Sequence, residues 1–175
     1  LTVGGGIKTI KNIQSLLKAG ADKVSINSAA IADPNIIKSS SKYFGSQCIV
    51  VAVDVKKNNN SWKVHSHGGT KDTGIDAIEW LQKIEDLGAG EILLTSMDKD
   101  GTKSGFDLEI LSIANNILTI PVIASGGVGS IEHFYEGVKV GKADALLAAS
   151  VFHFNEFSIM DVKNYLKKRN IEVRI

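Results

Sequence analysis

Cysteine and proline are scarce in this chain of 175 residues, which has one Cys and two Pro. Cys48 has no partner for an internal disulfide. It precedes the apolar run from Ile49, so we expect a small buried residue rather than a reactive thiol. No apolar run approaches the ~20 residues of a membrane span, and no signal peptide is visible. Neither sign of charge is in excess. The formal net charge of +1 gives no basic face for nucleic acid or an anionic membrane. These absences are those expected of a cytoplasmic protein. With 43% hydrophobic and 22% charged residues there is enough apolar material for one core.

Glycine is plentiful, and it recurs in a pattern. Gly4-Gly5-Gly6-Ile7-Lys8-Thr9-Ile10 near the start resembles Ser125-Gly126-Gly127-Val128-Gly129-Ser130-Ile131 near the end. An offset of 121 residues carries Gly5 onto Gly126, Gly6 onto Gly127 and Thr9 onto Ser130. Allowing one inserted residue, Lys142, Ala21-Asp22 falls on Ala143-Asp144 and Ser28 on Ser150. A strand, glycine turn, helix and strand therefore occur twice. A glycine turn opening a helix can hold a phosphate through backbone N–H groups and the helix dipole. Two related turns predict a ligand with a phosphate at each end.

Short apolar runs predict strands at Leu1–Val3, Val24–Ile26, Ile49–Val53, Ile92–Leu94, Ile120–Ala124 and Ala145–Ala148, several apolar on both faces. Helical spacing lies between them. Ile10–Leu17 has Thr9 as N-cap and Gly20 as stop. A helix near Ala30–Tyr43 starts around Asp33-Pro34, and others cover Ile75–Leu87, Leu108–Ile117, Ile131–Val140 and Met160–Lys168. The Asn58-Asn59-Asn60-Ser61 turn, followed by Trp62–His67, predicts a hairpin above the end of the third strand. His65 and His67 fall on one face of it and read as surface residues, not as a metal pair.

Alternating strands and helices make a parallel α/β fold. The offset corresponds to about four βα units, which implies a (β/α)₈ TIM barrel of roughly 250 residues. Six strands are visible, and the first two match the last two. They are expected to be strands 3 to 8 of a single barrel domain covering residues 1–175, with the first two βα units, about 75 residues, missing upstream. An open six-stranded sheet binding its ligand at a switch point is the alternative.

A barrel carries its site at the C-terminal ends of its strands. Those ends read Gly4-Gly5-Gly6, Asn27-Ser28, Asp54, Thr95-Ser96 with Asp98 and Asp100-Gly101-Thr102, Ser125-Gly126-Gly127, and Ala149-Ser150. Small residues crowd the two outer pairs and carboxylates the middle. Asp54, directly after Val-Ala-Val, is the candidate general acid/base. Asp98 and Asp100 could equally shape their loop or touch ligand. By the repeat, a symmetric ancestor would place a second aspartate on the missing first strand, opposite the first.

These segments also carry a resemblance. Val3–Ile7, Ser25–Ala30, Phe44–Asp54, Gly88–Asp98, Asp100–Gly105, Ala124–Gly127 and Ala149–Phe154 together resemble the cyclase subunit of imidazole glycerol phosphate synthase, in histidine biosynthesis. The resemblance runs to the Val-Arg-Ile end. It implies a lyase that takes ammonia from a glutaminase partner. The substrate would be a bisphosphorylated aminoimidazole carboxamide ribulosyl nucleotide, and the products imidazole glycerol phosphate and an aminoimidazole carboxamide ribotide. It implies Asp54 as one of two acid/base aspartates. Phosphate contacts fall at Gly6, Asn27 and Ser28 on one side and Gly127, Ala149 and Ser150 on the other, with Thr95, Asp100 and Gly101 between. Lys23 and Glu91, before their strands, would belong to a charged ring gating ammonia at the glutaminase face. No metal or cofactor is implied.

Two rivals stay open. The sister isomerase of the same pathway shares the double repeat, although Asn27-Ser28 and Ala149–Phe154 resemble the cyclase more. A non-catalytic phosphate-binding fragment is the other, because an opened barrel with one carboxylate is expected to be poorly stable and inactive alone.

Overall fold

The computed structural model describes residues 1–174. Six strands run parallel in one curled sheet: β1 (Thr2–Gly4), β2 (Lys23–Ile26), β3 (Ile49–Asn58), β6 (Glu91–Ser96), β7 (Val122–Ser125) and β8 (Ala145–Leu146). Their order across the sheet, β1-β2-β3-β6-β7-β8, follows their order in the chain. A doubly wound sheet reverses its strand order at the switch point. No reversal occurs among the described strands, so the sheet is wound one way, as a barrel wall is. It is a partial (β/α)₈ barrel, and β1 and β8 are its edges.

Helices α1 (Ile10–Lys18), α2 (Ser28–Ala32), α3 (Asn35–Phe44), α4 (Ala77–Asp86), α5 (Leu108–Ile117), α6 (Ile131–Lys139), α7 (Ser150–His153) and α8 (Ile159–Lys168) complete the fold. The core joins Val24, Ile26, Val51, Val53, Ile92, Leu94, Val122 and Ala124 of the sheet to Ile13, Ile37, Leu81, Ile84, Ile110 and Phe134 of the helices. Each such side chain fully buried contributes roughly 1.5–3 kcal/mol.

The sequence repeat is also a repeat of hydrogen bonds. Lys8 N and Thr9 N each donate to Asn12 Oδ1, both at 3.2 Å. Their equivalents, Gly129 N and Ser130 N, donate to His133 Nδ1 at 3.1 and 3.3 Å. Asn12 and His133 are themselves related by the same offset. Both helix starts are therefore tied down by the side chain of the third helical residue, one turn along. Thr9 caps α1, as its sequence position predicts, and Gly20 follows the helix with φ +107°.

Four expectations need correcting. The helix expected near Ala30–Tyr43 does start around Asp33-Pro34, as α3, but Ala30 belongs to a separate short helix, α2, ahead of that break. Proline disfavours the helical region for the residue before it, and Asp33 is extended at φ −143°. The hairpin is a three-stranded antiparallel arm. β4 (Ser61–Ser66) pairs with β3 on one side and with β5 (Lys71–Asp76) on the other. Ile75 thus belongs to a strand, and α4 starts at Ala77, capped by Asp76 accepting from Ile78 N (2.9 Å) and Glu79 N (3.4 Å). Cys48 is only partly buried and closes a short 3₁₀ turn, Ser46–Cys48, ahead of β3. His65 is 8% exposed, not a surface residue. The arm packs on the core through Trp62 and Val64, and His65 is held between Asp54 of β3 and Asp72 of β5 in the strand register.

Candidate active site

Two clefts mark the C-terminal rim of the sheet, one at each glycine turn. The first, of 490 Å³, is lined by Gly5, Gly6, Ile7, Lys8, Ser25, Asn27, Ser28, Asp54 and the arm residues His67 and Gly68, among others. The second, of 180 Å³, is lined by Asp100, Gly101, Lys103, Gly126, Gly127, Ala149 and Ser150, among others. The offset that relates the turns in sequence thus also relates two cavities. Gly6, Asn27 and Ser28 meet in the first. Asp100, Gly101, Gly127, Ala149 and Ser150 meet in the second. Thr95 lines neither. It stands beside Asp54 in the β3–β6 register, between the two.

The turns need glycine for backbone reasons. Gly6 has φ +68° and Gly127 φ +103°, in the left-handed region that other residues avoid. Their surroundings differ. A Cβ on Gly6 would meet nothing within 4 Å, whereas one on Gly127 would lie 2.1 Å from Gly105 O. The first turn is open on its outer side. The second is packed under the loop that follows β6.

Asp54 is half-buried in the wall of the first cleft. The sequence suggests that its strand stops there, but β3 continues to Asn58 because the arm supplies a second partner. Asp54 pairs with Thr95 on the parallel side and with His65 on the antiparallel side. Asn27 Nδ2 donates to Asp54 Oδ2 at 3.0 Å. Burial is the main influence on the carboxyl and pushes its pKa above the usual aspartate value. The Asn27 hydrogen bond pulls it back, the Asp100 charge raises it, and the His65 charge lowers it. A carboxyl so placed, half-buried at the wall of a cleft, is positioned to give or take a proton. Asn27 Oδ1 is buried and has no donor among the described residues, so it remains free to accept from a ligand.

Removing that hydrogen bond has a readable consequence. Asn27→Ala is expected to raise the pKa of Asp54 further and move the acid limb of the pH–rate profile to higher pH. A pH series of turnover for the two proteins checks this. An unmoved limb would mean that Asn27 does not act through Asp54.

Asp98 resolves as a loop-shaping residue. Its Oδ2 accepts from Lys57 N at 2.6 Å, tying the turn after β6 to β3. At the opposite mouth Lys23 and Glu91, the first residues of β2 and β6, form a partly buried ion pair. Among the described residues no cluster of His, Cys, Asp or Glu could hold a metal ion, and no helix is long and apolar enough to cross a membrane.

The family model of a histidine biosynthesis protein matches residues 1–158. The chain belongs to that family. The matched span takes in both glycine turns, both clefts, Asp54 and the whole arm. The two clefts thus sit on a histidine biosynthesis family fold of the barrel type.

Sequence reasoning set aside one residue that the structure brings to the site. His67 is exposed on the arm, as expected, and its exposed face also lines the first cleft beside Ser28 and Lys8. The signal was the Gly68-Gly69 pair after it, which marks a tight turn rather than a continuing strand.

Proposed function

We propose that this chain is a cytoplasmic imidazole glycerol phosphate synthase cyclase, a lyase of histidine biosynthesis. One observation carries the reading: the rim has two repeat-related clefts, each built on a glycine turn at a helix start, and a carboxyl with a raised pKa lines the first of them. A substrate with a phosphate at either end would lie across the rim, gripped by Gly6, Asn27 and Ser28 at one end and by Gly127, Ala149 and Ser150 at the other. Thr95, Asp100 and Gly101 would line its middle. Asp54 would then stand over the reacting atoms as general acid or base. Asn27 would orient it, and the arm would exclude water from above.

The choice of cyclase over the sister isomerase rests on the strand ends. Asn27-Ser28 and Ala149–Phe154 resemble the cyclase, and the Lys23–Glu91 ion pair at the far mouth suits a gate for ammonia delivered by a glutaminase subunit. The deciding test is turnover. Conversion of the bisphosphorylated ribulosyl nucleotide with an ammonium salt, by a protein carrying the full barrel, is the expected result. Ring-opening of the preceding pathway intermediate without ammonia would assign the isomerase instead.

A further inference from the structure

The arm ends in a turn of unusual backbone. His67, Gly68 and Gly69 have φ of +55°, +65° and +80°, three left-handed residues in succession. Glycine takes this conformation freely. For histidine it is uncommon and costs roughly 1 kcal/mol or more, so surrounding contacts must hold it. Those contacts are present. His67 N donates to Ser28 Oγ at 3.4 Å, which latches the tip to the first glycine-turn cleft. Gly69 is pressed onto Met97, whose Cε would lie 2.2 Å from a Cβ placed there. Ser66 is 5% exposed, and its Oγ lies 2.9 Å from His67 Nδ1. That bond engages one ring nitrogen, and no other described group engages Nε2.

The location gives the free nitrogen a use. His67 lines the first cleft and also a side cavity of 530 Å³ between the start of α1 and the α2–α3 corner. Lys8, Ser28 and Ala29 line both spaces as well. His67 and Lys8 therefore border the side of the glycine turn that is otherwise open. The helix start contributes only about half a unit of positive charge. A phosphomonoester carries close to two negative charges at neutral pH. The turn alone under-compensates such a group; Lys8 adds positive charge, and His67 adds a further hydrogen-bond donor.

We propose that His67, together with Lys8, closes the first cleft over its ligand, Nε2 donating to a phosphate oxygen, and that this pair selects a phosphomonoester dianion over singly charged anions. The inference rests on the reading of that cleft as a phosphate cradle. It adds the fourth wall of the cradle and its selectivity.

The test uses the full chain labelled with ¹⁵N and three probes: methyl phosphate, dimethyl phosphate and acetate. Methyl phosphate is expected to shift the Gly6 and Ser28 amides together with His67 Nε2, and to bind at least tenfold more tightly than the other two. His67→Gly and His67→Asn are each expected to weaken methyl phosphate about tenfold. Glycine relaxes the turn and asparagine tolerates it, so weakening common to both reports the imidazole and not strain. Unchanged affinity in both variants, with Gly6 and Ser28 still shifting, would overturn the role of His67 and leave the cradle standing. Methyl phosphate that moves neither Gly6 nor Ser28 would overturn the cradle itself, and the closing role with it.

Discussion

Asp54→Asn is expected to lower turnover by ~10²–10⁴-fold with little change in substrate affinity, and to make the fold more stable at neutral pH. The first effect follows from position. Asp54 is the half-buried carboxyl in the wall of the first cleft, and an amide of the same shape cannot exchange the proton. The second follows from linkage. Burial raises the folded-state pKa of Asp54 above its ordinary 3.8. Between these two values the folded state holds more protons than the unfolded state, so stability falls as pH rises through that window and is level above it. Asparagine carries no charge to bury and can still accept from Asn27 Nδ2. The variant's advantage in melting temperature is therefore expected at pH 7 and should vanish below the ordinary aspartate pKa. Steady-state kinetics with the whole barrel and thermal melts at two pH values check both parts. Lost affinity with preserved turnover would make Asp54 a binding group, and a variant less stable at pH 7 would contradict the burial argument.

Gly127→Ala is expected to cost about 3 kcal/mol, the sum of an overpacked contact and a strained backbone. The new Cβ would sit 2.1 Å from Gly105 O and 3.0 Å from Lys99 Cβ. Gly105 cannot simply retreat, because its N–H donates to Gly127 O at 2.8 Å. Relief would pull the loop after β6 off the second cleft, taking Asp100 and Gly101 with it. Gly6→Ala provides the control. Its φ of +68° is nearer the left-handed well that alanine can enter, and its Cβ would meet nothing, so only a strain of about 1 kcal/mol remains. For a chain of this size, a drop of roughly 6–12 °C in melting temperature is expected for Gly127→Ala and a few degrees for Gly6→Ala. Equal drops would mean that the close packing at the second turn carries no energy.

The glycine turns and their caps were legible because they occur twice. A single Gly-Gly is weak evidence, whereas two, with Thr9 and Ser130 at related helix starts, are not an accident of composition; the bonds from Asn12 and His133 that tie those starts down showed only in the structure. The six parallel strands were legible as short apolar runs. The third strand of the arm was not. Lys71-Asp72-Thr73-Gly74 has no alternation, because both its faces are largely wet, and Ile75 fits the period of the helix that follows. The Asp76-x-x-Glu79 spacing, a helix-start signal, could have placed that boundary. The Asn27–Asp54 hydrogen bond lay beyond any pattern. It depends on the register of β2 against β3, which pairs Ile26 with Val51. His67 was lost for a similar reason. Only the folded arm shows that its tip reaches back to Ser28.

The extension of β3 past Asp54 fixes one thing about how such a rim can change. Loops carry most of the variation in a barrel of this kind. Asp54 is not on a loop. It is laced into the sheet on both sides, to Thr95 and to His65, and its strand runs on to Asn58. The grips around it are turns, and turns can be exchanged. A scaffold arranged in this way can be altered in what it holds while the point of proton transfer stays where it is.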